Sequence, residues 1–138
     1  MSHTCKAILI HCMDFRLIKE TRNWLERENL IGDCDIVSLA GASKEIADNK
    51  NELLLKQIDI SNKLHQASQV ILLHHSDCGA YKSSYDFKSS EEEKTKQLED
   101  MEKAANIIKK KFPGAEVIKI WAEMKDDNGQ EVDFLKIE

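Results

Sequence analysis

The sequence predicts an α/β domain whose sheet is mostly parallel. Segments with strand character alternate with segments of helical periodicity, which is the pattern of such domains. The run Q-V-I-L-L-H at 69–74 has four consecutive aliphatic residues, as expected for a strand that is buried on both faces. A final alternating segment at 132–137 predicts a short antiparallel edge strand. We therefore expect one domain over residues 1–138, strand order 2-1-3-4 followed by that edge strand, and helices on both faces.

Each element is predicted from its local pattern. The strands are short aliphatic runs, and the helices carry apolar residues at spacings of three and four. Ile18 and Trp24 are expected on the apolar face of the first helix, which ends at Gly32, and Pro113 ends the last helix. The predicted elements are a strand at 6–11, a helix at 16–30, a strand at 34–40, a helix at 44–65 broken near 48–50, a strand at 69–74, a helix turn and loop at 81–90, a helix at 91–112 and strands at 115–122 and 132–137.

Composition excludes several classes of function. The net charge is −5, and no basic segment is interleaved with aromatic residues, so we expect no binding to nucleic acid or to an anionic membrane. No apolar run approaches the ~20 residues of a membrane helix, and the N-terminus has no features of a signal peptide. The four cysteines are widely spaced, which favours metal binding or burial over disulfides. A cytoplasmic protein is expected.

Two short motifs carry the predicted chemistry. C-M-D-F-R at 12–16 and H-S-D-C-G at 75–79 each follow a predicted strand. If the first and third strands are neighbours, about 4.8 Å apart, their carboxyl ends bring Cys12, His75 and Cys78 into one crevice. Two thiolates and one imidazole favour zinc over magnesium, calcium or manganese. Such a site leaves one position for chemistry, and zinc can bring the pKa of a water to about 7 there.

Asp14 and Arg16 of the first motif are expected beside this site. With Cys12 they recur at a period of two, so in extended chain all three project to one side. The guanidinium favours the ionised form of Asp14 and competes with the metal for its carboxylate. Asp14 can therefore either complete the metal site as a fourth ligand or leave that position to water.

The remaining polar residues receive simpler interpretations. His74 competes with His75 as a ligand, and we favour His75 because its spacing to Cys78 is shorter. Asp77 is expected at the loop surface, with a supporting role near the metal as the alternative, and the charged residues at 91–111 are expected to form a solvated helix face. Ordinary burial is predicted for Cys5 and Cys34, and structural roles for His3, His11 and His65, with His11 able to flank the site.

At these residues the sequence resembles the β class of carbonic anhydrases. That family carries C-x-D-x-R after its first strand and H-x-x-C-G after its third, and its Ala-Gly-Asn segment resembles V-S-L-A-G-A at 37–42. The resemblance implies zinc bound by Cys12, His75 and Cys78, with Asp14 and Arg16 as the catalytic pair. It also implies reversible hydration of carbon dioxide as the activity, and a homodimer or higher homo-oligomer. The sequence departs from the family in having only eleven residues before Cys12, no substrate-binding glutamine there, and Ala42 in place of asparagine.

Two alternatives stay open at this point. A hydrolase of carbonyl sulfide or carbon disulfide could use the same zinc site, because these substrates are also linear molecules with two cumulated double bonds. A non-catalytic zinc protein would instead use Asp14 as a permanent fourth ligand, which contributes folding free energy and leaves no open position.

Overall fold

The computed structural model describes residues 3–50 and 52–138, and within them five strands form one sheet. The order is β2-β1-β3-β4-β5, which confirms the predicted order. The first four strands are parallel, and β5 runs antiparallel to β4 at the edge. The strands are β1 (Ala7–Cys12), β2 (Cys34–Leu39), β3 (Gln69–His75), β4 (Glu116–Met124) and β5 (Val132–Ile137).

The helices occupy the segments between the strands. The break predicted near 48–50 is present, since α2 and α3 are separate helices. The first helix is shorter than predicted at both ends, because a 3-10 turn at Phe15–Leu17 precedes it and Asn29, with a φ of 58°, turns the chain soon after it. The helices are α1 (Ile18–Arg27), α2 (Lys44–Ala47), α3 (Glu52–His65), α4 (Gly79–Ser84) and α5 (Ser90–Lys111).

Apolar residues of the parallel strands are buried on both faces of the sheet. Alternate residues of β1 point to opposite faces, so Ile10 packs into the layer that contains α3 and α5, and Leu9 into the layer that contains α1. Helices therefore lie on both faces, as predicted. Within α1, Trp24 is buried as expected, but Ile18 was wrongly predicted to be on the buried face: it is 66% exposed.

The strand ends position the two motifs. Cys12 is the last residue of β1 and His75 the last of β3, one residue later than each predicted strand end. Since β1 and β3 pair directly in parallel register, both residues lie at the carboxyl edge of the sheet. Cys78 is three residues beyond His75, directly before α4. In the part of the chain that the structure describes, no helix is long and apolar enough to cross a membrane.

Candidate metal centre

Three buried side chains meet at the carboxyl edge of β1 and β3. The Sγ atoms of Cys12 and Cys78 are 4.0 Å apart, and one ligand atom from each of Cys12, His75 and Cys78 lies within 4.8 Å of the other two. Ligands 2.3 Å from a tetrahedral zinc would place two sulfurs about 3.8 Å apart. The separation of the two thiols is therefore close to what a shared zinc ion requires.

His75 presents a free ring nitrogen to this cluster. Its Nδ1 donates to the backbone carbonyl oxygen of Ser76 at 2.6 Å, which leaves Nε2 as the unprotonated atom of the neutral ring. Among the described residues Nε2 is the buried side-chain polar atom that has no hydrogen-bond partner. A buried polar atom without a partner is costly, and a metal ion would satisfy it. The donor set and this unsatisfied atom together fit a zinc ion.

The two thiols shift each other's pKa in opposite directions. A hydrogen bond from Cys78, with His75 nearby, lowers the pKa of Cys12. The thiolate of Cys12, together with burial, raises the pKa of Cys78. A divalent cation between the sulfurs would stabilise both as thiolates, since thiolates are the form that binds metal. The centre is therefore arranged for a cation rather than for a neutral ligand.

Asp14 lies at the rim of the cluster and is held by Arg16. Nε of Arg16 donates to Oδ1 of Asp14 at 3.0 Å and Nη2 donates to Oδ2 at 2.7 Å. This ion pair holds the pKa of Asp14 below its ordinary value. Oδ2 is also 3.9 Å from Nε2 of His75. A carboxylate that stays ionised is thus placed beside the free ring nitrogen. The predicted extended chain is wrong at Arg16, which lies in the 3-10 turn Phe15–Leu17, and Asp14 caps this turn by accepting the backbone N–H of Arg16 at 3.0 Å.

Arg16 is itself fixed from two sides. Nη1 contacts Oδ2 of Asp77 at 2.9 Å, and Nη2 donates to the backbone oxygen of Asp77 at 3.0 Å. On the other side Gly129 packs against the backbone of Arg16, where a Cβ on Gly129 would lie 2.2 Å from the carbonyl oxygen of Arg16. Asp77 therefore has a supporting role as well as a position at the surface, where it also pairs with Lys82.

Helix α5 supports the loop that carries His75 and Cys78, which was not predicted from the sequence. Oε2 of Glu93 accepts the backbone N–H of Cys78 at 2.8 Å, and Nε2 of Gln97 donates to the carbonyl oxygen of His75 at 2.9 Å. Glu93 is only 2% exposed, so the prediction of a purely solvated face over 91–111 was wrong. The signal was present in the sequence: Glu93 and Gln97 extend the apolar stripe of Met101 and Ile108 by steps of four.

His74 serves the scaffold instead of the ligand cluster. Its Nδ1 is 3.0 Å from Oε1 of Gln97, and its Nε2 is 2.6 Å from Oγ of Ser43 and accepts the backbone N–H of Ser43. Both ring nitrogens are therefore occupied. The preference for His75 over His74 agrees with this geometry. His11 lies outside the cluster of ligand atoms.

The centre opens to a cavity of about 620 Å³ at the protein surface. Met13 and Phe15, the two apolar residues of the first motif, line this cavity, and Phe15 is 79% exposed. Ala40 and Ala80 complete the apolar part of the wall. A small, weakly polar molecule can therefore approach Cys12 and Asp14 directly from solvent.

Comparison with known proteins agrees with this geometry. A family model described as "Putative carbonic anhydrase" matches residues 2–132. An uncharacterised protein of Rickettsia bellii is 38% identical over 118 residues, covering 80% of this chain and 72% of the relative; one from Rickettsia conorii is 36% identical, covering 80% and 63%.

Solved structures share the fold at low sequence identity. Tetrameric β-carbonic anhydrases from Sordaria macrospora give a TM-score of 0.62 at 12% identity, with 97% of this chain and 82% of that chain covered. The apo form of a carbon disulfide hydrolase gives a TM-score of 0.51 at 14% identity, with 95% and 82% covered. These matches concern the architecture, whereas the family model covers both motifs. The chain belongs to this carbonic anhydrase family.

Proposed function

We propose that the protein catalyses the reversible hydration of carbon dioxide to bicarbonate with a zinc ion held by Cys12, His75 and Cys78. The observation that carries the proposal is the buried cluster of two sulfurs and the unpartnered Nε2 of His75 beside Asp14. When bound, zinc supplies Lewis-acid chemistry that makes a hydroxide-like nucleophile available near neutral pH. The value of about 7 for such a water is that of carbonic anhydrases with three histidine ligands, and two thiolates weaken the effect.

Asp14 and Arg16 orient the reaction in this proposal. Arg16 keeps Asp14 ionised, so the carboxylate can accept a hydrogen bond from the attacking water and fix its direction. Carbon dioxide enters through the cavity beside Phe15 and Ala80. Water adds across one C=O bond, bicarbonate leaves, and the released proton passes to buffer.

The ion pair also favours a catalytic site over a closed structural one. Both carboxylate oxygens of Asp14 already accept hydrogen bonds from Arg16. A permanent bond from Asp14 to the metal would have to compete with this bidentate pair. The fourth position is therefore proposed to remain available to water.

The direct test is stopped-flow hydration of carbon dioxide by the zinc-loaded protein, followed with a pH indicator. We expect a rate above the buffer background for the wild type and for Cys34→Ser, a matched cysteine outside the centre. Cys78→Ser should have no such rate. Absence of hydration at alkaline pH in the zinc-loaded wild type would refute the proposed activity.

Carbon disulfide or carbonyl sulfide is the second candidate substrate. One structure with this fold is titled a carbon disulfide hydrolase, and the apolar wall of the cavity suits either substrate. Sulfide release assayed on the same preparations distinguishes the two activities.

We also propose that the protein is a homo-oligomer, because of its relationship to the carbonic anhydrase family. Structures that share the fold include β-carbonic anhydrases described as tetrameric. Exposed apolar residues surround the entrance to the centre, including Phe15 and Met13, and a second copy could cover them. Light scattering coupled to size exclusion determines the oligomeric state.

A further inference from the structure

A second cluster of metal-binding side chains lies at the opposite edge of the sheet. Cys5 lies two residues before the start of β1. Asp35 is the second residue of β2, and His65 is the last residue of α3. One ligand atom from each lies within 4.8 Å of the other two. These residues are at the amino ends of parallel strands, whereas Cys12 is at a carboxyl end. The cluster is therefore separate from the centre described above.

Hydrogen bonds hold these side chains in place. Oδ2 of Asp35 accepts from Oγ of Ser61 at 2.7 Å and contacts Nδ1 of His65 at the same distance. The backbone N–H of Cys5 donates to the carbonyl oxygen of His65 at 2.9 Å. The segment before β1 is thus tied to the end of α3, and the carboxylate is oriented by a neighbouring hydroxyl. The Ser61 hydroxyl is a contact of the kind that orients a ligating carboxylate, whereas the hydrogen bond between Asp35 and His65 is the one that a bound metal ion would replace.

The cluster is partly exposed to solvent. The ring of His3 lies beside that of His65, with centroids 4.8 Å apart, but the group of ligand atoms is formed by Cys5, Asp35 and His65. His3 is exposed, while the side chains of His65 and Asp35 are 28% and 31% exposed. The cluster is therefore open to a cation from solvent but partly shielded from water, which strengthens its electrostatic interactions.

The state of the thiol argues against an alternative use as a nucleophile. A cysteine beside a histidine and an aspartate can act as a nucleophile when its pKa is depressed. Here burial raises the pKa of Cys5, and its Sγ donates to the carbonyl oxygen of Ala7 at 3.4 Å. A bound metal would convert this thiol to a thiolate.

We propose that Cys5, Asp35 and His65 bind a second divalent transition metal ion such as Zn²⁺. One sulfur, one carboxylate and one imidazole form a donor set that suits zinc and does not suit calcium or magnesium. The ion would connect the N-terminal segment, β2 and α3. Its role would be structural, because the three donors come from separate parts of the chain that the ion would hold together.

Metal stoichiometry tests the proposal without reference to catalysis. The untagged full chain is saturated with Zn²⁺, freed of loose metal by gel filtration, and analysed for zinc per chain. We expect Cys5→Ala to contain one equivalent of zinc per chain less than the wild type. This difference does not depend on how much zinc the Cys12 centre binds. His65→Gln should show the same loss, and circular dichroism establishes that each variant is folded.

Cys34→Ala is the matched control. Cys34 is next to Asp35, with Sγ 3.3 Å from the carbonyl oxygen of Asp35, but it lies outside the donor set. We expect it to retain the wild-type zinc content. The proposal is overturned if Cys5→Ala and His65→Gln both keep the full wild-type content. It is also overturned if Cys34→Ala loses the same equivalent, because the donor set would then be wrong.

Discussion

The carboxylate of Glu93 accepts a hydrogen bond from the backbone N–H of Cys78, with 2.8 Å between Oε2 and the nitrogen. This contact joins the long helix α5 to a residue of the ligand cluster, although the two residues are fifteen positions apart. The same oxygen accepts from Nε2 of Gln97 at 2.9 Å, and Gln97 also donates to the carbonyl oxygen of His75. The positions of His75 and Cys78 thus depend on a buried carboxylate of α5.

The first prediction concerns this contact. Glu93→Ala removes the acceptor and leaves the N–H of Cys78 buried without its partner. We expect zinc affinity at the Cys12 centre to fall by about 10- to 100-fold, the usual cost of removing a residue that orients a ligand. Competition with a chelator measures this affinity, and Glu91→Ala, an exposed residue of the same helix, should remain at the wild-type value. Unchanged affinity in Glu93→Ala would show that α5 does not position the loop.

The second prediction separates the catalytic from the ligand role of Asp14. Asp14→Asn keeps the size of the side chain but removes its charge and breaks the bidentate pair with Arg16. We expect the hydration rate to fall by about 100-fold or more, in the range of general acid–base effects, with zinc content unchanged. Stopped-flow assays and metal analysis on one preparation measure both. Loss of zinc together with activity would instead identify Asp14 as a metal ligand.

The third prediction is a pH dependence of stability due to His74. Burial lowers the pKa of His74 from 6.5 to about 4, so between these values the unfolded chain binds more protons than the folded one. Stability from the neutral ring is complete above pH 6.5 and is lost as pH falls towards 4. This shift in the pKa of His74 corresponds to about 3 kcal/mol in the free energy of unfolding. Urea unfolding of the metal-free protein at several pH values measures it.

The control for this measurement is His74→Gln, which cannot be protonated. We expect its unfolding free energy to fall less steeply than that of the wild type between pH 6.5 and 4. Parallel curves for the two proteins would assign the pH dependence to other groups, such as His11, whose pKa burial also lowers.

The fourth prediction concerns the turn between β4 and β5. Gly129 has a φ of 69°, and a Cβ there would lie 2.2 Å from the carbonyl oxygen of Arg16. Gly129→Ala should therefore destabilise the protein by about 2–4 kcal/mol, from the left-handed conformation and from displacement of the Arg16 backbone. Urea unfolding measures the change. Gly114→Ala, where nothing lies within 4 Å of an added Cβ, should change stability far less, and equal effects in both variants would contradict the steric argument.

The sheet, and the clustering of the three ligands of the first centre, could be predicted because both depend on local sequence patterns. Uninterrupted aliphatic runs mark parallel strands, and the carboxyl ends of adjacent strands meet at one edge. The positions of Cys12, His75 and Cys78 relative to one another follow from these two facts. The contact of Asp14 with Arg16 has a different origin from the predicted extended chain, because Asp14 caps the 3-10 turn that contains Arg16.

Other features depend on contacts that no local pattern encodes. The charged neighbours of Glu93 predict a solvated face, although its position on the helix places it on the buried side. The three residues of the second cluster share no motif, and the sequence predicts unrelated roles for Cys5 and His65. Only the pairing of β1 with β2 and the return of α3 to the start of β1 bring them together.

The location of Cys12 and His75 at the last positions of paired strands has a practical consequence. A slip of one residue between β1 and β3 would turn the side chain of Cys12 towards the opposite face of the sheet and separate it from Cys78. Metal retention at this centre is therefore a reporter of correct strand alignment, and it could be used to screen large libraries of substitutions in the hydrophobic core for variants that preserve native register.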